Sequence, residues 1–253
     1  MTTRNDDVPP GWGDDELSAF LDKARHNQFG TFHKKKLAWG LISEVDACFY
    51  KLGSNLSNPK DLLSPFLFMR SHSAWRAACG TAMSGQVVET NALLRSALEF
   101  AAYGLYIDLT PDMRQVWFDR NNSGSAKKLM RNKFKQGTIN AAIKARAPRL
   151  AEIFETLYEL TIDQGAHPNQ SGVMGSTKIY DIEDGGKRFD QVYLHGDSVA
   201  LAATLKVLVE TGICCLCLFQ NVSTLKARFN LLGIGDRLVM LRKQSRVLVK
   251  KKA

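Results

Sequence analysis

A chain of 253 residues with 45% apolar and 23% charged residues can bury a large core, which excludes a disordered chain and a membrane protein by composition. The net charge of +9 is moderate, so where the charges lie says more than their sum. Length does not demand two domains, and one helical domain is expected over residues 14–249, between a flexible segment 1–13 and a basic tail 250–253.

The N-terminus, Met1-Thr-Thr-Arg-Asn-Asp-Asp7, has no basic-then-apolar signal region, and Val8 to Gly13 reads as a loosely docked approach to the fold. Asp14 and Asp15 precede Leu17, Phe20, Leu21 and Ala24, the pattern of a short first helix with acids at its favourable end. From Thr31 to Leu52 the apolar residues Leu37, Leu41, Val45, Cys48, Phe49 and Leu52 recur at helical steps, and Gly53 to Pro59 ends that run. A third helix is predicted from Ser64-Pro65 to Met83.

Beyond Ser84-Gly85, Val87 to Leu109 is apolar on nearly every side, so it belongs in the middle of a bundle. Thr110-Pro111-Asp112 starts another short helix, to Arg120. Basic helices follow near Ala126–Lys135 and Thr138–Ala147, then an amphipathic one from Pro148 to Gln164 that Gly165 can close.

Residues 176–194 change period. Lys178 to Ile182 and Phe189 to Leu194 alternate every second residue around Asp184-Gly185-Gly186, which predicts a β-hairpin insertion. An isolated hairpin is marginal in water, so it is expected to dock on the helices or on a partner. Helices resume over Asp197–Asn221, Ser223–Leu232 and Asp236–Val249. The fold class is therefore mainly α, a multi-helix bundle around a buried central helix with one small hairpin.

The stretch Val199–Phe219 carries Lys206 and Glu210 in its middle, so it reads as a core helix and no membrane partner is expected. Five cysteines cannot all pair, and Cys214-Cys215-Leu216-Cys217 lacks zinc-knuckle spacing. They read as reduced core residues, with no metal or cofactor expected and a cytoplasmic location.

Charge is segregated. Arg120, Lys127, Lys128, Arg131, Lys133, Lys135, Lys144, Arg146 and Arg149 fall in a stretch without an acid. Lys226, Arg228, Arg237, Arg242, Lys243, Arg246 and Lys250 to Lys252 form a second, opposed only by Asp236. Such segregation fits contact with RNA or another polyanion, through Lys127, Lys128, Arg131, Lys133, Lys135, Arg242, Lys243 and Arg246; solvated helix faces are the plainer alternative.

Three places could carry chemistry. Arg95 and Glu99 lie one helical turn apart on the central helix, with Tyr103 on the same stripe. Buried charge needs a partner, so the two either fix helix register or hold an anion in a polar pocket. The preceding helix offers Arg70, His72, Trp75 and Arg76, a grouping suited to a phosphate or carboxylate or to a surface role. His167 follows Gly165-Ala166 on a short loop, where it either caps the helix or serves a site.

Leu93-Leu-Arg95-Ser-Ala-Leu-Glu99-Phe-Ala-Ala-Tyr103, with the later Gly165-Ala-His167-Pro168, resembles a bacterial all-helical family of unknown function related to the HEPN superfamily (higher eukaryotes and prokaryotes nucleotide-binding). The resemblance covers roughly Ser64 to Asn169. It implies a helical bundle, a homodimer and, for many HEPN proteins, metal-independent RNA cleavage by an arginine and a histidine with four to six residues between them on a helix. Arg188 and His195 have that spacing, but Phe189 to Leu194 reads as a strand, which would hold the two groups apart.

No Walker loop, dinucleotide fingerprint, zinc-protease motif or nucleophile elbow occurs. The expectation is a HEPN-like protein that binds RNA or another polyanion with little or no catalysis. In the ribonuclease alternative, His167 or His72 is the base and Arg95 or Arg76 stabilises phosphate charge, beside Glu99. In a third reading the hairpin and basic tail engage a protein partner, in a structural or regulatory role in a defence or toxin-like system.

Overall fold

The computed structural model describes residues 8–56, 62–168, 170–183 and 185–248. Helix α1 (Glu16–Lys34) starts on Asp15, whose carboxylate accepts from the N–H groups of Leu17 and Ser18, donors that a first helical turn leaves open. It is longer than expected. The gap anticipated between Ala24 and Thr31 stays helical, because Asn27 and Gln28 donate to the carbonyls of Ser84 and Gly80 on a neighbouring helix. The break falls at Lys35, and α2 spans Lys36–Ser54.

Helix α3 (Leu63–Ser84) ends on Gly85 and the chain turns directly into α4 (Val87–Leu109). Then come α5 (Met113–Phe118), a 3-10 turn at Asp119–Asn121, α6 (Gly124–Lys133), α7 (Gln136–Arg146) and α8 (Pro148–Thr161). A π-helical turn, Ile162–Ala166, extends α8. The short α9 (Gln170–Met174) falls in a stretch for which no element was predicted. The chain closes with β1 (Thr177–Asp181), β2 (Lys187–Gln191), α10 (Val199–Gln220), α11 (Ser223–Leu231) and α12 (Ile234–Ser245). Among the described residues this is a twelve-helix bundle with one hairpin. The expected features at residues 1–7, Ser57 to Pro59, Asn169, Asp184 and the tail 250–253 lie outside the described residues.

Helix α4 is the central helix because it has no polar face to give to water. Leu94, Ala97, Leu98, Ala101 and Leu105 have no solvent exposure, and α3, α7, α8 and α10 pack around them. Helix α10 is the other inner helix, against α2, α3, α4, α8 and α12. Its length and apolar composition would also suit a membrane span, but most of it is buried among these helices. One hydrophobic cluster runs from Ala38 in α2 to Leu241 in α12.

At the crossing of α2, α3 and α10, a Cβ on Gly212 would fall 2.6 Å from both Trp75 Nε1 and Val45 Cγ1. Only glycine lets the helices approach so closely. Trp75 is fully buried, its indole N–H donating to the Leu208 carbonyl at 2.9 Å. Cys48, Cys214, Cys215 and Cys217 are buried in the same cluster and Cys79 is half-buried, all as free thiols. Burial pushes the Cys215 thiol up to about 12 and that of Cys217 to about 11, so neither is a thiolate near neutrality.

The hairpin pairs antiparallel, Thr177 opposite Gln191 through Asp181 opposite Lys187. It does not dock on the core among the described residues. The cross-strand pair Ile179 and Phe189 is exposed, Phe189 by 65%, and so is Tyr180 on the other face. What ties it down lies at its base. The His195 N–H donates to the Gly85 carbonyl at 2.8 Å, and Tyr193 meets Phe20 edge to face.

Candidate functional site

Arg95 and Glu99 lie where α4 emerges from the core, next to the enclosed Leu94 and Leu98. Their side chains are 21% and 38% exposed, so the pair stands at the edge of the core. Arg95 Nε donates to Glu99 Oε1 at 3.0 Å, and its terminal nitrogen donates to the Tyr158 hydroxyl at 2.9 Å. The Tyr158 hydroxyl in turn donates to Glu99 Oε1 at 3.0 Å, closing a triangle. The second terminal nitrogen of Arg95 meets His167 Nε2. Arginine only donates, so in this contact the imidazole nitrogen is the acceptor.

Electrostatics follow from this geometry. Burial and the Glu99 carboxylate push the Tyr158 phenol up to about 12, so it stays protonated and its hydrogen bond to Glu99 is kept. Burial works against the Arg95 cation, but Tyr158 and Glu99 more than offset it and raise its pKa.

The turn after α8 delivers His167. Gly165 has φ 129°, a region side chains avoid, and a Cβ there would stand 2.4 Å from Val88 Cγ1. The turn is therefore pressed against the start of α4, held further by Asn91 Nδ2 donating to the Gln164 carbonyl at 3.1 Å. His167 is exposed and needs this turn to reach Arg95.

Glu99 also forms part of the wall of a cleft of about 360 Å³ between α4, α5 and α6. Phe100, Tyr103, Trp117 and Phe134 supply its aromatic surface, and the exposed Arg120 and Arg131 its positive rim. Tyr103 and Phe134 rings lie 5.0 Å apart, and Tyr106 Oη donates to the Lys133 carbonyl, fixing the end of α6. Burial and Glu99 raise the Tyr103 phenol, so it too remains protonated. Arg70 reaches the same neighbourhood, its guanidinium 5.5 Å from the Phe100 ring centre. Lys127, Lys128, Arg131, Lys133 and Lys135 are all exposed on or beside α6, and none forms an ion pair among the described residues.

The preceding helix was expected to offer Arg70, His72, Trp75 and Arg76 together to a phosphate or carboxylate or to a surface role, and the structure divides them. His72 Nε2 lies 2.7 Å from Asp46 Oδ1, and Arg76 takes both oxygens of the same carboxylate at 2.7 and 2.8 Å. His72 also stacks on Phe49, with ring centres 4.7 Å apart. Partial burial works against the Asp46 charge, yet the bonds from Arg76 and His72 hold its carboxyl well below the usual range. An internal anion thus occupies the place expected for an external one. Trp75 is a core residue and not a ligand contact, because its indole is consumed by the Leu208 carbonyl.

Arg242 and Arg246 line a different pocket, between α8, α10 and α12, and Lys243 is exposed on α12. Arg188 pairs with Asp190 on β2, whereas His195 lies past the strand against Ser176. The strand therefore separates them as expected. Among the described residues no group of three or more His, Cys, Asp or Glu side chains is placed to hold a metal ion.

Compared with known proteins, the chain matches no family model, no curated sequence and no solved structure.

Sequence reasoning missed Asp46 and Tyr158. Tyr158 was findable as the polar-tipped member of the α8 stripe Leu150, Phe154, Leu157 and Thr161, and a buried tyrosine hydroxyl generally finds a partner. Trp117 gave no signal, since α5 is too short to show a period.

Proposed function

We propose that this protein is a HEPN-like helical protein that binds single-stranded RNA, or a polyanion of similar backbone charge, in the cleft between α4, α5 and α6. The observation that carries the reading is the joining, in one cleft, of aromatic faces to the guanidinium groups of Arg120 and Arg131. Base stacking on aromatic rings contributes about 1–3 kcal/mol per base, and cations along the rim attract the backbone. The unpaired lysines of α6 extend that attraction beyond the cleft.

Binding is favoured over cleavage because the His167 nitrogen facing the cluster already accepts from Arg95. A general base needs that lone pair free for the ribose hydroxyl. The cluster is better suited to present Glu99 and the Arg95 charge at one end of the cleft.

The test is fluorescence anisotropy with a labelled single-stranded RNA at increasing salt, repeated with Arg120→Gln/Arg131→Gln. Affinity should fall steeply with salt, and removal of two phosphate-contacting cations should lower the slope of log K against log salt by about 1.4. Stacking on Trp117 should quench tryptophan emission, and Trp117→Ala should remove that quench. Affinity that is the same at low and moderate salt would dismiss the proposal. Cleavage of the RNA in excess chelator, lost in His167→Ala, would instead favour the metal-independent ribonuclease.

A further inference from the structure

A second pocket, of about 340 Å³, opens between α8, α10 and α12 on residues that the RNA-binding reading does not use. Its walls are apolar, with Ile153 and Leu157 from α8 and Ile213 and Cys214 from α10. Its polar groups are asymmetric. Arg149 from α8, Arg242 from α12 and Arg246 just beyond α12 all line it, which brings together cations from the two basic segments of the chain. Two carboxylates, Glu152 and Glu210, also reach the pocket, leaving it net positive.

Among the described residues the cations lack a carboxylate partner. Glu210 is engaged along its own helix by Lys206 at 3.7 Å, and among the described residues none of Arg149, Arg242 and Arg246 forms an ion pair. Arg242 is the telling member. It is half-buried, and among the described residues its guanidinium makes one hydrogen bond, at 2.9 Å, to the sulfur of Cys217, a thiol that burial keeps protonated and neutral. A guanidinium drawn in from water onto a neutral sulfur is a cation still short of its counter-charge, and a charged group that is desolvated without an anion is costly. Apart from Glu152 and Glu210, the features of the pocket are satisfied by one kind of molecule, an apolar body for the walls with an anionic head for the arginines.

We infer that the pocket between α8, α10 and α12 binds a small amphiphilic anion, with its hydrocarbon part between Ile153, Leu157 and Ile213 and its carboxylate or phosphate on Arg242, assisted by Arg149 and Arg246. The head group chemistry is shared by fatty-acid-like carboxylates and alkyl phosphate monoesters, and the two are separated by experiment.

Isothermal titration and thermal melting of the full chain with octanoate, octyl phosphate, octylamine and inorganic phosphate provide that experiment. Octanoate, octyl phosphate or both should bind at one per chain and raise the melting temperature, while octylamine and inorganic phosphate should not. Saturable binding of one amphiphile alone identifies its head group as the natural type. Arg242→Met keeps the packing of the stem and should weaken binding by about tenfold or more, the fold-change carried by a charge-assisted hydrogen bond. Arg149→Gln/Arg246→Gln alters exposed side chains only, so it should fold normally and also weaken binding. The inference is overturned if neither amphiphile binds, if octylamine or inorganic phosphate binds as well as they do, or if both variants bind with unchanged affinity.

Discussion

Asp46 takes Arg76 through two bonds and His72 through a third, and each bond favours the ionised carboxylate against the cost of partial burial. A carboxyl whose folded pKa lies below its unfolded value of about 3.9 contributes stability that is complete above that pH and is lost as pH falls through the folded pKa. Asp46→Asn should therefore melt below the wild type at pH 7, with a gap that narrows steadily once the pH drops below about 4. Thermal melts from pH 7 to pH 2.5 check this, and a gap that stays constant would show that Asp46 acts through packing alone. The same residue marks what sequence could not convey. Periodicity placed His72 and Arg76 on one face of α3, and Arg95 and Glu99 on one face of α4, but a period names a face and not its partner. Asp46 and Tyr158 are 26 and 63 residues away from His72 and Arg95, on other helices, and only the packing of those helices brings them together. The sequence left His167 between capping its helix and serving a site, and its contact with Arg95 is visible only in three dimensions.

At the level of elements, legibility followed the strength of the pattern. Helices α4 and α10 were readable with nearly their observed ends because a long run without a polar face has one suitable place, the inside of a bundle. The hairpin was readable from its alternation and its glycines. The extra turns of α1 were not, since they are held by side chains bonding to the end of α3, a tertiary effect that overrides local preference. Of the two places where the hairpin was expected to dock, the helices or a partner, the helices do not cover its strands among the described residues, because alternation predicts a strand pair whatever lies beneath it. Ile179→Ser/Phe189→Ser tests its independence. Surface substitutions change stability by no more than about 0.5 kcal/mol, and urea unfolding of this double variant should show a change of that size. A loss several times larger would mean that the pair is packed against something in solution.

For the molecule as a whole, one apolar cluster joins α2 to α12, so unfolding should be a single cooperative event in which far-ultraviolet dichroism and tryptophan fluorescence change together. Gly212→Ala forces a methyl group into contact with Trp75 and Val45 at the helix crossing. Overpacking of this kind costs about 1–3 kcal/mol, and the variant should shift both probes to lower urea by the same amount. Divergence of the two probes would reveal a second folding unit. Charge is arranged on the same scale. The first basic segment spreads over α6, α7 and the start of α8, the second runs along α11 and α12, and the two meet at the pocket lined by Arg149 and Arg242. The base of the hairpin has a consequence of its own. The Val192 N–H donates to the Ser176 carbonyl at 2.7 Å, so the chain leaves the helical body and rejoins it at adjacent points. A passenger domain spliced between β1 and β2 would hang from that clasp without stretching the scaffold, which makes the hairpin tip a natural graft point for a reporter.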